Sequence, residues 1–347
     1  EYLVIASRIS ETSDMRVTIV DPYTGELLFT EDVSDVSLYV TTFGIEYLGD
    51  CFYIYGGDDI YEVDPYSERI KVIDYETDWS NDISHGKIIS CDTTETEMTL
   101  EVYDIADAHS DYLTEDGFKG LDWAKLGDCY YVPEIDTVFV PMGNRMFVAD
   151  LEEEEITEID LPDTWEEEQF YNFYATASED GSKIVLTDGS TVLVTDDSYN
   201  ELFVARCSYT RRFGVEFHDG IMYLVEDNYL YRYDEETGDV LGKYLVTIYG
   251  TGEVSFFFED ETNSLFIQGN EQICIFDTNE WIETANILDA YCYHPGSQNF
   301  FMFTFERTGV CYIGYIKRYT TEELIEKGKE FLNGRELDDL TRNKYGL

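Results

Sequence analysis

Four histidines, seven cysteines and 74 carboxylates are the side chains of this 347-residue chain that could transfer protons, hold a metal or attack an electrophile. His85, His109, His218 and His294 fall far apart, with no HxH or HxxxH spacing. No metal-ligand pair or nucleophile–base cluster can be written from them. Cys51, Cys91, Cys129, Cys207, Cys274, Cys292 and Cys311 are odd in number, widely spread and mostly set in β-branched or aromatic runs. They read as buried thiols of a reducing compartment rather than as a secreted disulfide scaffold or a zinc site. Carboxylate pairs suited to acid–base work arise by chance at this density, and no Asp-x-Asp-x-Asp-Gly loop marks a calcium site. The reading is therefore of no catalytic residue, no metal and no cofactor.

One set of carboxylates is periodic. A short apolar run ends in Asp21, Asp64, Asp104, Asp150, Asp196, Asp234 and Asp277, at spacings of 43, 40, 46, 46, 38 and 43 residues. At the end of a strand, an aspartate accepts hydrogen bonds from turn N–H groups and stops the strand. The functional alternative is a ring of carboxylates at one mouth of a channel, able to hold Ca²⁺ or a basic peptide.

A period in the low forties, with five-residue strands and no helical pattern between them, predicts an all-β fold, a single β-propeller. In the fifth unit, Tyr174–Ala177 is the expected inner strand, 184–187 the second, 191–195 the third and 202–205 the outer one. Eight hairpins of this kind can be read, so eight blades are favoured, with seven as the alternative. Residues 110–125 read as an insertion in the third unit, the first unit lacks an inner strand and the last an outer one. The propeller is assigned to residues 1–318 and a short α-helical tail to 319–347. In that tail Thr320 with Glu323 forms a capping box and Gly334 a stop, and the apolar face packs on the propeller.

Strand, Asp-Gly turn, strand, then a strand ending in an aromatic residue plus Asp resembles the WD-repeat family. Phe276-Asp277, Tyr233-Asp234 and Tyr103-Asp104 stand where that family has Trp-Asp, although no unit carries its Gly-His dipeptide. Tyr315 falls where the eighth unit needs its aspartate. The tail, with Glu322-Glu323-Leu324-Ile325, Gly334-Arg335 and Tyr345-Gly346-Leu347, is similar to the segment closing many bacterial multidomain WD-repeat proteins. That resemblance implies a monomeric propeller within a larger chain, behind an effector domain of a signalling or defence protein.

Charge constrains the partner. With 22 Lys plus Arg against 74 Asp plus Glu, the formal charge is −52, which repels nucleic acid and anionic lipid. The 16% aromatic and 44% apolar residues supply a core despite that charge, so the chain folds. Trp79, Trp165, Phe170 and Tyr171, in acid-rich connections between units, are the candidate binding residues for a protein or basic peptide. For Trp79 and Trp165, as for Trp123 and Trp281, plugging gaps between blades is the structural alternative. The expectation is a non-catalytic sensor or scaffold of the cytoplasm. Alternatives are a propeller hydrolase or lyase with an axial site, and an extracellular glycan- or peptide-binding propeller.

Overall fold

The computed structural model describes residues 2–9, 14–34, 44–55, 59–73, 82–122, 125–159, 161, 173–187, 191–206, 212–248, 252–269, 272–305, 311–319 and 323–327. They form eight antiparallel sheets in chain order, spanning residues 3–33, 44–73, 82–116, 130–159, 174–206, 212–245, 255–288 and 290–317. Each sheet from the second to the seventh runs inner, second, third and outer strand. The sixth gains a parallel pair of residues, Gly252–Glu253, beside Arg212 and Phe213. Among the described residues the first sheet has three strands and no inner one, and the eighth has three and no outer one.

Every one of the eight hairpins read from the sequence is present. Their central strands are covered on both faces and so read as continuous apolar runs rather than as alternation. Thr137–Met142 is buried at every position, and Arg145–Asp150 at all but its two ends. Outer strands alternate and bury little. His109–Asp116 is such a strand, paired along its length with Glu97–Asp104, so residues 109–116 are the outer strand of the third sheet and not an insertion. Leu113 alone is buried there, which left no periodic apolar signal to read.

The sheets stack face on face, each consecutive pair sharing an apolar core. Val17, Ile19, Ile54 and Val63 join the first and second, and Ile60, Ile73, Ile88 and Ile105 the second and third. Leu100, Val140 and Phe147 join the next pair, and Phe139, Val148 and Leu186 the one after. Val194 with Leu224, Val225 with Ile267, and Phe266 with Phe300 complete the series. The eighth sheet then meets the first. Asn299 Nδ2 donates to the Pro22 carbonyl at 2.7 Å, the Tyr23 and His294 rings lie edge to face at 5.5 Å, and the Tyr315 ring covers Gly25. Among the described residues no strand pairing joins these two sheets, so their contact is made by side chains and turns.

Gly214, on the inner strand of the sixth sheet, lets another backbone approach closely. A Cβ there would lie 2.2 Å from the Val254 carbonyl oxygen, on the segment whose N–H donates to the Phe213 carbonyl. Gly214→Ala is expected to push residues 252–254 off the sheet at a cost of about 1–3 kcal/mol, read as a lowered melting temperature. Residues 323–327 are helical, with Leu324 and Ile325 exposed. The rest of the expected tail helices lies outside the described residues.

Candidate functional site

Antiparallel order puts two connections of each sheet at one end, the inner-to-second turn and the third-to-outer turn. The seven periodic aspartates open the latter turns. In six of them one Oδ1 accepts the N–H groups two and three residues ahead: Tyr23 and Thr24 on Asp21, Tyr66 and Ser67 on Asp64, Ala106 and Asp107 on Asp104. The same pair of bonds reaches Asp150 from Glu152 and Glu153, Asp234 from Glu236 and Thr237, and Asp277 from Asn279 and Glu280. Asp196 holds Ser198 and Asn200 instead. In four of the seven turns the residue after the aspartate donates its N–H to the neighbouring turn, Ile105 to Gly86, Leu151 to Asp136, Glu235 to Gly220 and Thr278 to Asn263, whereas Pro22 and Pro65 have no N–H to give.

These turn ends touch all round. Tyr2 meets Tyr66, Leu48 lies under Gly86, and His85 Nδ1 is 3.2 Å from the Tyr131 carbonyl. Ile135 lies under Gly181, Lys183 pairs with Glu236, His218 faces Asp260, and Arg318 pairs with Glu259. With the contact of Pro22 and Asn299, one face therefore carries all seven aspartate turns. It is strongly acidic, because it also carries Glu152, Glu153, Glu154, Asp197, Glu235 and Glu261. Its cations are largely spent on acids: Lys87 on Asp104 at 2.7 Å, Lys183 on Glu236 at 2.7 Å, and Arg318 on Glu259 at 2.5 Å.

The hydrogen bonds hold several of these carboxyls below the usual range. Asp21 is lowered first by the Tyr23 N–H, Asp64 by the Ser67 hydroxyl, Asp196 by Asn200 and Asp234 by the Thr237 N–H. At Asp104 burial pulls upward, but Lys87 and the turn N–H groups outweigh it. Asp180, bonded by Ser178 and Ser182, falls to about 2. Glu216 and Asp128 go the other way, raised by burial. A carboxylate lowered on folding stabilises the fold above its unfolded pKa and loses that contribution as pH falls through the folded value. A raised one costs stability at neutral pH and is relieved on acidification. The melting temperature is expected to rise from pH 7 to 5, as Glu216, Asp128 and the overall repulsion are relieved, and to fall between about pH 4 and 2. A melt series across that range checks both limbs.

Exposed aromatics interrupt the acidic face at the first two sheets. Tyr23, Tyr47 and Tyr66 are 52%, 56% and 63% exposed. Tyr66 stands edge to face with Tyr2 at 5.3 Å, and Tyr47 leans on Phe52 at 4.8 Å. The Tyr66 hydroxyl is raised by partial burial and then by the nearby charges of Tyr47, Asp50, Tyr2 and Asp64. Two sheets thus place tyrosine rings among carboxylates, an arrangement suited to a cationic side chain that lays its stem on a ring and its charge beside an acid. Sequence reasoning passed over this patch, yet a signal existed: only the first two aspartate turns read Asp-Pro-Tyr, at 21–23 and 64–66.

Trp79, Trp165, Phe170 and Tyr171, and also Trp123, lie outside the described residues. The strand ends that flank the four candidates are at the opposite end of the sheets from the aspartate turns. Trp281 lies between the sixth and seventh sheets, stacked near Tyr223 and Tyr244 with the Arg232 guanidinium 3.9 Å from its ring. The histidines are dispersed, and among the described residues no three His, Cys, Asp or Glu side chains are placed to share a metal ion. In the eighth sheet, the register Asn299↔Lys317 matches Ser264↔Asp277 in the seventh. Lys317, not Tyr315, therefore holds the place of the periodic aspartate.

No helix among the described residues is long and apolar enough to cross a membrane. No family model matches the chain, and no curated protein does. Solved structures do. A dihydro-heme d1 dehydrogenase, NirN, in complex with DHE is similar with a TM-score of 0.59 at 12% identity, over 91% of this chain and 72% of that one. A chain of the mitotic checkpoint complex matches with a TM-score of 0.50 at 11% identity, over 86% of this chain and 100% of that one. KlHsv2 with loop 6CD replaced by a Gly-Ser linker matches with a TM-score of 0.51 at 8% identity, over 92% and 99%. At these identities the likeness is of fold alone, and that fold, with its run of antiparallel sheets meeting last to first, is the β-propeller.

Proposed function

We propose that this chain is an eight-bladed, WD-like propeller acting as a non-catalytic recognition module, and that it binds a basic protein or peptide segment on its acidic turn face. The observation that carries the reading is the patch of Tyr2, Tyr47, Phe52 and Tyr66 beside Asp50 and Asp64. Exposed rings supply affinity, the surrounding field steers a cationic partner, and the rigid sheets hold both in place. The same module fits a bacterial multidomain signalling or defence protein. The odd number and wide spacing of the seven cysteines favour a reducing compartment, the cytoplasm.

Fluorescence anisotropy with a labelled Lys/Arg-rich peptide tests the proposal. Saturable binding is expected, weakening as salt rises from about 0.05 to about 0.5 M, because the Debye length shrinks to a few ångströms. Binding that ignores salt, or that matches a neutral peptide of the same length, overturns it.

A further inference from the structure

Among the described residues, the eighth sheet ends on an open strand. In the second to seventh sheets the third strand is paired by an outer one, as Gln272–Asp277 is by Ile282–Leu288. Cys311–Lys317 pairs with Asn299–Phe305 on one side, and among the described residues no strand pairs with its other edge. The exposure agrees. The third strand of the seventh sheet is buried from Gln272 to Phe276, whereas Gly314, Tyr315, Ile316 and Lys317 are all exposed, Tyr315 and Ile316 at 47% each. An edge with unpaired N–H and C=O groups and exposed apolar side chains is a template for one more strand.

Charge says what kind of strand fits. Opposite charges face or neighbour one another across the third and outer strands of the first, second and fourth sheets, although like charges also meet, Glu97 opposite Asp116 and Asp150 opposite Glu155. Arg16 makes a two-point contact with Asp32 at 2.6 and 2.8 Å, Glu62 stands opposite Lys71, Asp64 opposite Arg69, and Arg145 reaches Glu158. In the eighth sheet the aspartate position is Lys317, and Lys317 and Lys327 both lie near the Tyr319 ring, at 5.4 and 4.8 Å. Lys317 thus puts a cation where the other sheets have an aspartate, on a chain of −52.

We infer that the free edge of Cys311–Lys317 takes an extended peptide strand from a partner, apolar against Tyr315 and Ile316 and acidic where it faces Lys317. The added strand completes the blade by antiparallel main-chain hydrogen bonds and is distinct from the basic ligand of the turn face. Either site can fail without the other.

The test uses the full chain and a capped peptide, Glu-Ile-Thr-Glu-Ile-Thr-Val, which begins like the outer strand Glu155–Ile159. At about 0.15 M salt, where surface charges beyond about 8 Å are screened, it is expected to bind and to slow amide exchange at residues 313, 315 and 317, whose N–H groups point away from Asn299–Phe305. The version N-methylated at alternate residues is expected not to bind. A Lys-Ile-Thr-Lys-Ile-Thr-Val peptide is expected to bind roughly two- to five-fold more weakly, as one lost cross-strand charge pair implies. K317E, on an exposed side chain, is expected to reverse that order. Three results would overturn the inference: equal binding of the methylated peptide, no reversal in K317E, or the edge-facing amides 313, 315 and 317 already protected in the free protein. The last would mean that the chain itself or, if protection rises with protein concentration, a second copy occupies the edge.

Discussion

Replacing Tyr47 and Tyr66 together by alanine lowers the affinity for a Lys/Arg-rich peptide by roughly ten- to a hundred-fold, the range expected when two aromatic anchors are truncated. Both rings are more than half exposed and support no core, so the melting temperature stays near that of the parent. A second variant separates ring contact from field. Asp50→Asn removes one carboxylate beside the rings and is expected to cost a few-fold, an effect that fades as salt rises. Loss of binding in the double variant together with loss of folding would show that the tyrosines brace the first two sheets instead. Unchanged binding would move the ligand to the opposite end of the sheets, whose strand ends flank Trp79, Trp165, Phe170 and Tyr171.

Phe147→Ala has the largest expected effect on stability. The ring is fully buried between the third and fourth sheets, edge to face with Phe118 at 4.9 Å, with the Arg145 guanidinium 4.7 Å from it on the side that faces Glu158. Truncation removes that contact from a junction that cannot collapse without shifting two whole sheets, at a cost of about 3–5 kcal/mol. That is a large share of the about 5–15 kcal/mol by which domains exceed their unfolded state. Because each sheet is clamped by two neighbours, the loss is expected to lower the whole denaturant transition rather than to melt one sheet. Leu27→Ala, on an exposed outer strand, serves as the control and is expected to change stability by less than about 0.5 kcal/mol. A Phe147→Ala midpoint within error of that control would show that the sheet junctions do not carry the stability.

Much of the fold was legible because its strongest signals are local. The eight hairpins follow from paired apolar runs, and the aspartate turns from a carboxylate reaching N–H groups two and three residues ahead. The outer strand 109–116 was missed because a strand that buries only Leu113 has no apolar period. The place of Lys317 was missed because strand register, and not the ending of an aromatic run, decides which residue faces Asn299. The candidate site was less legible. The candidates read from the sequence, Trp79, Trp165, Phe170 and Tyr171, stand in acid-rich connections between units, whereas the exposed aromatics of the acidic face are tyrosines, flagged by a two-fold Asp-Pro-Tyr that is too short to stand out among 29 tyrosines.

The sequence by itself determined the period, the strands, the turn-closing role open to each aspartate, and the sign of the field. These depend on residues a few positions apart, or on composition. Only the tertiary structure decided that Tyr2 meets Tyr66 across two sheets, that the eighth sheet returns to the first through Asn299 and Pro22, 277 residues apart, and that a lysine takes the aspartate's place on a strand left without an outer partner among the described residues. The physical reason is that sheet-on-sheet contact is set by how the whole row of sheets twists and returns on itself. No window of forty residues contains that geometry.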